Sequence, residues 1–308
     1  MKKLQEELIF KLKQVQKVFD TNTIIHTQPT ITSIANYYKT NKLAYSFFAN
    51  KDFIHVGISK NKKYSNKDLL EQAKFVDKYI KRLKTKQVLE LATGRGANSE
   101  YLAKKHPNIN FEAVDLPNGQ IDFAFSKAKK LKNFHPKEGD YHDLSNYSKN
   151  TFDVIFIIEA LCHSTNKKQV LREVRKLLKN NGVFIIFDGY RGKREDMMTK
   201  EELLAIKLTE KGMAVPNFDY YDDFKNKLLK SKFKILEEQD VSLLIIPTLK
   251  KFESQARLYF KIPPSLLRII NRFFSPIFIR NIISGYLLAT LEKLQLSKYT
   301  ILVVSKKN

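Results

Sequence analysis

Short, strongly apolar segments alternate with amphipathic ones through the middle of the chain. The apolar segments are rich in β-branched and aromatic residues, which is typical of strands buried on both faces of a parallel sheet. They cover residues 88–91, 110–115, 151–160 and 183–187. Residues 97–105 and 167–179 are predicted helices between them, the second with a clear apolar face. Strand, helix and strand in this repeated order predict an α/β fold with a doubly wound parallel sheet.

The pattern changes in the last third of the chain. Residues 201–211 and 219–230 predict helices, residues 233–241 a sixth strand and residues 300–305 a seventh. We expect these last two strands to pair at one edge of the sheet. Residues 243–297 lie between them and are too apolar for an exposed loop, while prolines oppose one long helix. This stretch predicts a helical insertion that packs over the strand ends and walls a substrate pocket.

A basic helix is predicted at the N-terminus. Its apolar residues, at three- and four-residue spacing, are Leu4, Leu8, Leu12, Val15 and Phe19. Such a stripe packs against the rest of the domain, contacts a membrane surface, or closes over the active site. All three interpretations stay open from the sequence, with packing as the preferred one.

Composition bounds the class of protein. A chain of 308 residues with 43% hydrophobic residues forms one catalytic domain with appendages, or at most two domains. The single cysteine, Cys162, excludes internal disulfides and indicates a reducing compartment. The charged N-terminus is unlike a secretory signal, and no run of eighteen apolar residues occurs. We therefore expect a cytoplasmic protein, with membrane association as an open alternative.

The formal net charge of +23 is typical of proteins that bind nucleic acids or acidic membranes. The lysines are scattered rather than clustered with aromatic residues, so no platform for stacking bases stands out. An excess of lysine and asparagine also follows from an AT-rich genome. The sequence thus disfavours nucleic acid. Arginines 268, 272 and 280, within the apolar insertion, suit an anionic head group or simply solvate its outer face.

A glycine turn joins the first buried strand to the next helix. Gly94 and Gly96 allow backbone angles and a ligand approach that a Cβ would block. A dinucleotide-binding turn carries a third glycine where this chain has Ser99, so what remains is Glu90 on the strand followed by Gly-x-Gly. Asp115 ends the next strand, where a carboxylate can accept both hydroxyls of a ribose. The alternative is that Asp115 caps the following helix.

These blocks resemble class I S-adenosylmethionine (SAM) methyltransferases over residues 85–190, most closely the sterol, lipid and small-molecule C-methyltransferases. In those families a Glu-Ala-x-Cys-His-like sequence also follows the central strand, as in residues 159–163. Upstream, Tyr37, Tyr38, Tyr45 and residues 53–57 are similar to their lid. Ala92 and Arg95 depart from the smaller or more polar residues that are common in this glycine motif.

The resemblance implies a Rossmann-like, seven-stranded sheet with an antiparallel last strand and helical caps at both ends. It divides the chain into an N-terminal helical cap and lid (residues 1–84), a SAM-binding core (residues 85–190) and a helical substrate cap that carries the last two strands (residues 191–308). It also implies a cofactor site. The expected cofactor-binding residues are Glu90, Ala92, Gly94, Gly96, Asp115, Leu116, Asp140, Tyr141 and Glu159.

Residues 139–143 follow a further candidate strand, the third in chain order, and fit the adenine side of that site. Asp140 would accept the adenine amino group, and Tyr141 would cover the ring. Asp140, His142 and Asp143 look like metal ligands, but no second His or Cys group stands nearby at ligand spacing. No metal site is therefore predicted, and His142 and Asp143 are expected to lie in a solvated loop.

The predicted catalytic residues are Glu159, His163 and Tyr38. An alkene acceptor becomes a carbocation on methylation, so a base such as Glu159 must remove a proton. A hydroxyl or amine acceptor would instead lose its proton to His163. Tyr38 and its neighbouring tyrosines are expected to face the sulfonium by cation–π attraction. The alternative roles are cofactor contact or structure for Glu159, and a hydrogen bond at the start of a helix for His163.

The predicted function is SAM-dependent methyl transfer to a small, hydrophobic, lipid- or isoprenoid-like acceptor. The apolar insertion favours such a substrate. Two alternatives stay open from the sequence. The first is O- or N-methylation of a polar metabolite, and the second is a SAM-binding assembly protein without turnover.

Overall fold

The computed structural model describes residues 1–30, 32, 36 and 52–307. The strands are β1 (Gln87–Leu91), β2 (Asn110–Asp115), β3 (Phe134–Glu138), β4 (Phe152–Ile158), β5 (Leu178–Arg191), β6 (Phe233–Asp240) and β7 (Ser297–Lys306). The helices of the core are α3 (Glu71–Arg82), α4 (Ala97–Lys105), α5 (Ile121–Ala128), α6 (Lys167–Leu177) and α8 (Tyr221–Lys230). Those of the cap are α1 (Lys2–Val18), α2 (Thr21–Ile25), α7 (Lys200–Gly212), α9 (Ser242–Phe260), α10 (Pro264–Ile270) and α11 (Pro276–Lys293). Short 3₁₀ helices cover Asn66–Leu70, Leu161–His163, Glu195–Met197 and Asn271–Phe273.

The seven strands form one sheet in the order β3-β2-β1-β4-β5-β7-β6. The first five strands run parallel, and β7 lies antiparallel between β5 and β6. The predicted fold class is confirmed, including the pairing of the last two strands and the helices inserted between them. The strand order reverses between β1 and β4, so the carboxyl ends of these two neighbours border the crevice where ligands bind in such sheets.

Helices cover both faces of the sheet, which explains why the central strand is apolar throughout. Val154 and Phe156 of β4 pack on one face with α3 residues such as Val76. Ile155 and Ile157 pack on the other face with residues of α6 and α8. Every one of these side chains is fully buried. The alternation of β4 residues between two cores is the expected consequence of a two-residue strand period.

One boundary differs from the sequence prediction. Helix α6 ends at Leu177, and β5 begins at Leu178 rather than at residue 183. Leu178 pairs with Phe152, and both side chains are fully buried in the same core. Pairing with β4 therefore extends the strand through the Asn-Gly pair at 181–182. The turn preference of this pair predicts a break there.

The apolar stripe of α1 packs against the cap. Leu8, Leu12 and Val15 are buried in a cluster with residues of α7 and α11. Lys11 lies on the same face with 1% exposure, and its Nζ is 2.8 Å from a Glu253 carboxylate oxygen and 2.6 Å from Thr290 Oγ1. The packing interpretation of the stripe is thus the one that the structure supports. No helix in the described ranges is long and apolar enough to cross a bilayer.

We predict that Lys11→Met destabilises the protein by about 3 kcal/mol, because it removes the buried cation that pairs with both Glu7 and Glu253, and among the described residues Glu253 keeps only Arg257 as an ion-pair partner. Urea denaturation measures the loss. Lys13→Met, on the exposed face of the same helix, is the control and should change stability by less than about 0.5 kcal/mol. Equal stability of both variants would show that the buried ion pair does not hold α1.

Candidate cofactor and active site

A cavity lies at the carboxyl ends of β1, β2 and β4, with one wall from a segment that precedes α3. That segment is residues 52–59, and we name it the lid segment. The described residues that line the cavity come from the lid segment, from the turns after these three strands, and from the loop after β3. They are Asp52, Phe53, Ile54, His55, Glu90, Ala92, Thr93, Gly94, Arg95, Ala97, Asn98, Asp115, Leu116, Asn118, Gln120, Tyr141, Ile158, Glu159, Ala160 and His163.

This lining brings together most of the predicted site residues and leaves others out. Gly96 and Asp140 do not line the cavity in the described part of the chain. Neither α1 nor the insertion of residues 243–297 contributes a described residue, so the prediction that the insertion forms the far wall is wrong. The reason is that the lid segment lies between: its Ser59 N–H donates to Leu244 O at 2.8 Å. Tyr37, Tyr38 and Tyr45 lie outside the described residues.

The turn after β1 uses its two glycines for different purposes. Both have positive φ, 55° at Gly94 and 71° at Gly96. A Cβ on Gly94 would lie 2.8 Å from Ile54 Cδ1 of the lid segment, at the cavity. A Cβ on Gly96 would lie 2.8 Å from Ala124 Cβ, so this glycine lets α4 pack closely on α5. Ala92 also has a positive φ of 55°, a conformation that costs a residue with a Cβ about 1 kcal/mol.

Glu90 is 2% exposed and holds this turn together. Its Oε2 accepts hydrogen bonds from Thr93 Oγ1 at 2.7 Å and from Ser99 Oγ at 2.5 Å. Burial raises the pKa of Glu90 to about 7. Ser99, which occupies the place of the third glycine of a dinucleotide turn, therefore serves as a donor to the carboxyl group of the strand. Asn98 lies 3.4 Å from the same carboxyl group through Nδ2.

Asp115 ends β2 at the cavity with 8% exposure. Its Oδ2 accepts from the Gly94 N–H at 2.5 Å, and its Oδ1 accepts from Asn118 Nδ2 at 2.9 Å. Burial raises the pKa of Asp115 to about 6, while these donors oppose the rise. The next helix begins at Ile121 with Gln120 as its N-cap, so the alternative role of Asp115 as a helix cap is wrong. Leu116 lines the cavity beside it.

On the adenine side of the predicted site, Tyr141 lines the cavity and donates through its hydroxyl to Ala160 O at 3.1 Å. Asp140 Oδ1 lies 2.6 Å from His142 Nδ1, and His142 Nε2 lies 2.8 Å from Ser164 Oγ. The prediction of a solvated loop is therefore wrong for His142, because two partners on different loops cover its ring. Asp143 is exposed, as predicted.

Glu159 follows β4 and has a positive φ of 50°. Its Oε1 accepts from the Val56 N–H at 2.9 Å and from the Tyr299 hydroxyl at 2.8 Å. One carboxyl group thus joins the lid segment, the central strand and β7. Burial raises the pKa of Glu159 to about 8, so the side chain is mainly protonated at pH 7.

Two histidines reach the same cavity as neutral rings. His163 Nδ1 donates to Ala214 O at 3.2 Å, which leaves Nε2 as the basic nitrogen of this tautomer. Burial lowers the pKa of His163 to about 4 and also lowers the pKa of His55. His55 Nδ1 lies 2.9 Å from Val56 O and its Nε2 lies 3.4 Å from Asn98 Nδ2. The adjacent Cys162 is buried and donates its N–H to Asp188 at 2.8 Å.

The sequence prediction did not single out Asn98 and Arg95, which line the cavity, or Tyr299, which is bonded to Glu159. Asn98 lies on α4, where nothing in its local pattern distinguishes it from a surface residue. Arg95 appears in the sequence only as a departure from the motif, yet it is 1% exposed, its Nε donates to Gln120 at 2.7 Å, and its guanidinium lies 4.7 Å from the centroid of the Phe123 ring. Tyr299, the partner of Glu159, lies 140 residues away in sequence.

The geometry fits SAM. A Cβ on Gly94 would overlap Ile54 of the lid segment, so the cavity wall there is backbone alone, and the Asp115 carboxyl group lines the same cavity. Asn98 Oδ1 is a buried acceptor for which the described residues supply no donor. No three His, Cys, Asp or Glu side chains of the described residues are arranged to hold a metal ion.

Comparison with known proteins agrees with this geometry. Residues 82–240 match the family described as "Methyltransferase domain". The chain belongs to this methyltransferase family. The resemblance to class I methyltransferases, with SAM as the cofactor, is thereby confirmed at the level of the family.

Two curated relatives match part of this methyltransferase chain. A sterol 24-C-methyltransferase from Kluyveromyces lactis is 30% identical over 105 residues, which are 34% of this chain and 28% of that protein. A demethylmenaquinone methyltransferase from Thermotoga maritima is 30% identical over 115 residues, which are 37% of this chain and 48% of that protein. The chain therefore spans less than half the length of each of these relatives.

A solved structure matches more of the chain. The cyclopropane synthase MmaA2 from Mycobacterium tuberculosis has a TM-score of 0.73 and 12% identity, over 90% of this chain and 99% of that one. At this identity the likeness shows the fold alone.

We predict that Asp115→Ala weakens SAM binding more than tenfold, about 1.5–3 kcal/mol, because the ribose hydroxyls lose their acceptor. Isothermal titration with SAM and with its demethylated product measures the change. Asp115→Asn keeps an acceptor for the Gly94 N–H, so it shows how much of the effect comes from loss of that hydrogen bond. Asp143→Ala, on the exposed loop, should bind as the wild type does. Unchanged affinity of Asp115→Ala would contradict the assignment.

We predict that the protein loses stability between pH 5 and pH 8 and that Glu159→Gln loses less. The pKa of Glu159 is about 8 in the folded chain and near 4.5 in the unfolded one, so the folded state holds a proton that the unfolded state releases. The contribution of this group to the free energy of unfolding is therefore complete below pH 4.5. It decreases between pH 4.5 and pH 8 and is lost above pH 8. Urea midpoints at the two pH values measure it, and Glu138→Gln on the exposed end of β3 is the control. Parallel pH profiles for wild type and Glu159→Gln would contradict this prediction.

Proposed function

We propose that the protein transfers a methyl group from SAM to a small, hydrophobic, lipid- or isoprenoid-like acceptor. The observation that carries the proposal is the meeting of Glu159 and His163, both uncharged at neutral pH, with Gly94 and Asp115 around one cavity. The named relatives support the acceptor class, since one methylates a sterol and the other a demethylmenaquinone.

Gly94, Asp115, Leu116 and Tyr141 would hold the cofactor. SAM supplies an activated methyl group that transfers by in-line displacement, leaving the demethylated cofactor. The protein's contribution is then to align the acceptor and exclude water. The lid segment supports both, because Val56 N–H is bonded to Glu159 and Thr248 Oγ1 donates to Gly57 O at 3.1 Å. These bonds hold the lid segment over the cavity between the sheet and the insertion.

Proton removal depends on the acceptor atom. When an alkene carbon takes the methyl group, the resulting carbocation must release a proton, and the carboxylate form of Glu159 accepts it. Tyr299 supports this role, because its hydroxyl donates to Glu159 and stabilises the charged form. With a pKa of about 8, the reactive fraction of Glu159 grows as the pH rises toward 8. Tyr38, which lies outside the described residues, is the proposed sulfonium contact.

A second candidate is methylation of a hydroxyl or amine. The observation that favours it is the tautomer of His163, whose Nε2 is a basic nitrogen at the cavity. In that case His163 accepts the proton of the acceptor during transfer. The two candidates differ in which side chain carries the proton, so the same pair of variants separates them.

We predict that a labelled methyl group from SAM is transferred to prenyl, sterol or quinol lipids presented in micelles. We also predict that Glu159→Gln lowers kcat by about 10²–10⁴-fold with unchanged SAM affinity. Removal of the base explains the loss, because the amide keeps the hydrogen bonds of Glu159 but accepts no proton. His163→Ala tests the second candidate, and Glu138→Gln is the control. The second candidate would be favoured if the labelled methyl group appeared only in polar amines or alcohols and if His163→Ala alone lost activity. Normal turnover of both variants would contradict both roles.

A further inference from the structure

The insertion ends in a tip whose apolar side chains point into solvent. We name as the apolar tip the end of α9, α10 and the 3₁₀ helix Asn271–Phe273. Its large exposed side chains are Leu258 (64% exposed), Leu266 (47%), Ile269 (54%) and Phe273 (82%). Leu266, Ile269 and Phe273 follow one another at spacings of three and four residues, so they share one side of the tip. Such a contiguous apolar patch marks a binding surface.

The apolar tip is held firmly on the cap, so its exposure is a property of the fold. Leu267 has no exposed surface and anchors α10 from its inner side. The Tyr259 hydroxyl donates to Asn271 Oδ1 at 2.7 Å, which ties the 3₁₀ helix to α9. Phe19, beyond the end of α1, stacks on Tyr259 with 6.3 Å between ring centroids. The patch is therefore presented on a supported surface.

The charged residues of the insertion near the patch have a single sign. No Asp or Glu occurs between Glu253 and Glu292 in the sequence. The exposed charges of the apolar tip are the cations Lys261, Arg268 and Arg272. Among the described residues none of these three forms an ion pair, whereas many other basic residues of the chain do. Apolar side chains with interleaved cations suit the interface of an anionic bilayer, where apolar groups enter the acyl boundary and cations meet lipid phosphates.

We propose that the apolar tip binds the surface of an anionic lipid bilayer, with Leu266, Ile269 and Phe273 inserted and Arg268 and Arg272 against the lipid phosphates. This goes beyond the proposed function and does not depend on the acceptor. The proposed membrane surface is the apolar tip and not the apolar stripe of α1, because that stripe is buried against the cap. Helix α9 runs from the lid segment, which Leu244 and Thr248 contact, to the apolar tip, so one helix connects the lid segment with the proposed bilayer surface.

Vesicle sedimentation of the full chain tests the proposal. The probes are vesicles of phosphatidylcholine alone and of equimolar phosphatidylcholine and phosphatidylglycerol, at low and high salt. We expect binding to the anionic vesicles, weakened by salt. Ile269→Ser/Phe273→Ser should reduce the affinity at least tenfold, and Arg268→Gln/Arg272→Gln should remove most of the preference for anionic vesicles. Leu229→Ser/Leu236→Ser is the matched control, because it removes two side chains that are 52% and 50% exposed on α8 and β6.

Three outcomes would overturn the proposal. One is the absence of binding to either kind of vesicle. A second is equal binding by the wild type, the tip variants and the control, which would assign binding to the general positive charge. A third is concentration-dependent dimerisation that Ile269→Ser/Phe273→Ser abolishes, without vesicle binding, which would assign the patch to a second copy of the chain. SAM titration of every variant confirms that it is folded and keeps this test separate from that of the proposed methyl transfer.

Discussion

Four neighbouring strands of the sheet each carry a carboxyl group at or near the carboxyl end, and the cavity depends on how these groups are satisfied. They are Asp115 at the end of β2, Glu90 on β1, Glu159 directly after β4 and Asp188 on β5. Asp115, Glu90 and Asp188 are buried, and Glu159 is partly buried. Burial raises the pKa of all four, to about 6, 7, 8 and 6 in that order. Because an unpaired carboxylate away from water is costly, each group must find donors. The turns after the strands supply donors to Asp115 and Asp188, whereas the lid segment and β7 supply those of Glu159.

The donors fix the loops that carry the site. The Gly94 N–H bonded to Asp115 shapes the turn after β1, and the Cys162 N–H bonded to Asp188 shapes the turn that carries His163. The Val56 N–H bonded to Glu159 brings the lid segment to the cavity. The need to supply donors to these carboxyl groups thus positions the loops around the cavity. The same surroundings determine which of the carboxyl groups are protonated. They also explain why Glu159 is mainly a neutral acid at pH 7 while Asp115 is mainly charged.

The caps act on the cavity indirectly. The insertion touches the lid segment through Leu244 and Thr248, and α1 touches the insertion through Lys11 and Glu253. No described residue of α1 or of the insertion lines the cavity. Substrate selection by the caps would therefore operate through the position of the lid segment. The same helices leave one apolar, cationic surface uncovered at the far end of the insertion, away from the lid segment.

Local patterns along the chain were enough to predict the sheet, most of its strands and the loops expected to bind the cofactor. Apolar runs of β-branched residues, such as β4, specify strands buried on both faces, and local contacts suffice to recognise the glycine turn and the carboxyl group that ends β2. These features depend on residues that are close in sequence, where periodicity and turn chemistry act directly.

Contacts between residues far apart in sequence followed no local pattern. Tyr299 reaches Glu159 because β7 inserts beside β5, and no local pattern encodes that pairing. The same holds for Arg95, which the sequence shows as a surface-type residue and the fold buries against Phe123 and Gln120. The far wall of the pocket was wrongly predicted for this reason: the lid segment, placed by bonds to Glu159 and Thr248, stands between the insertion and the cavity. Partners of buried polar groups are set by the whole fold, since each must be satisfied by whichever element packs against it.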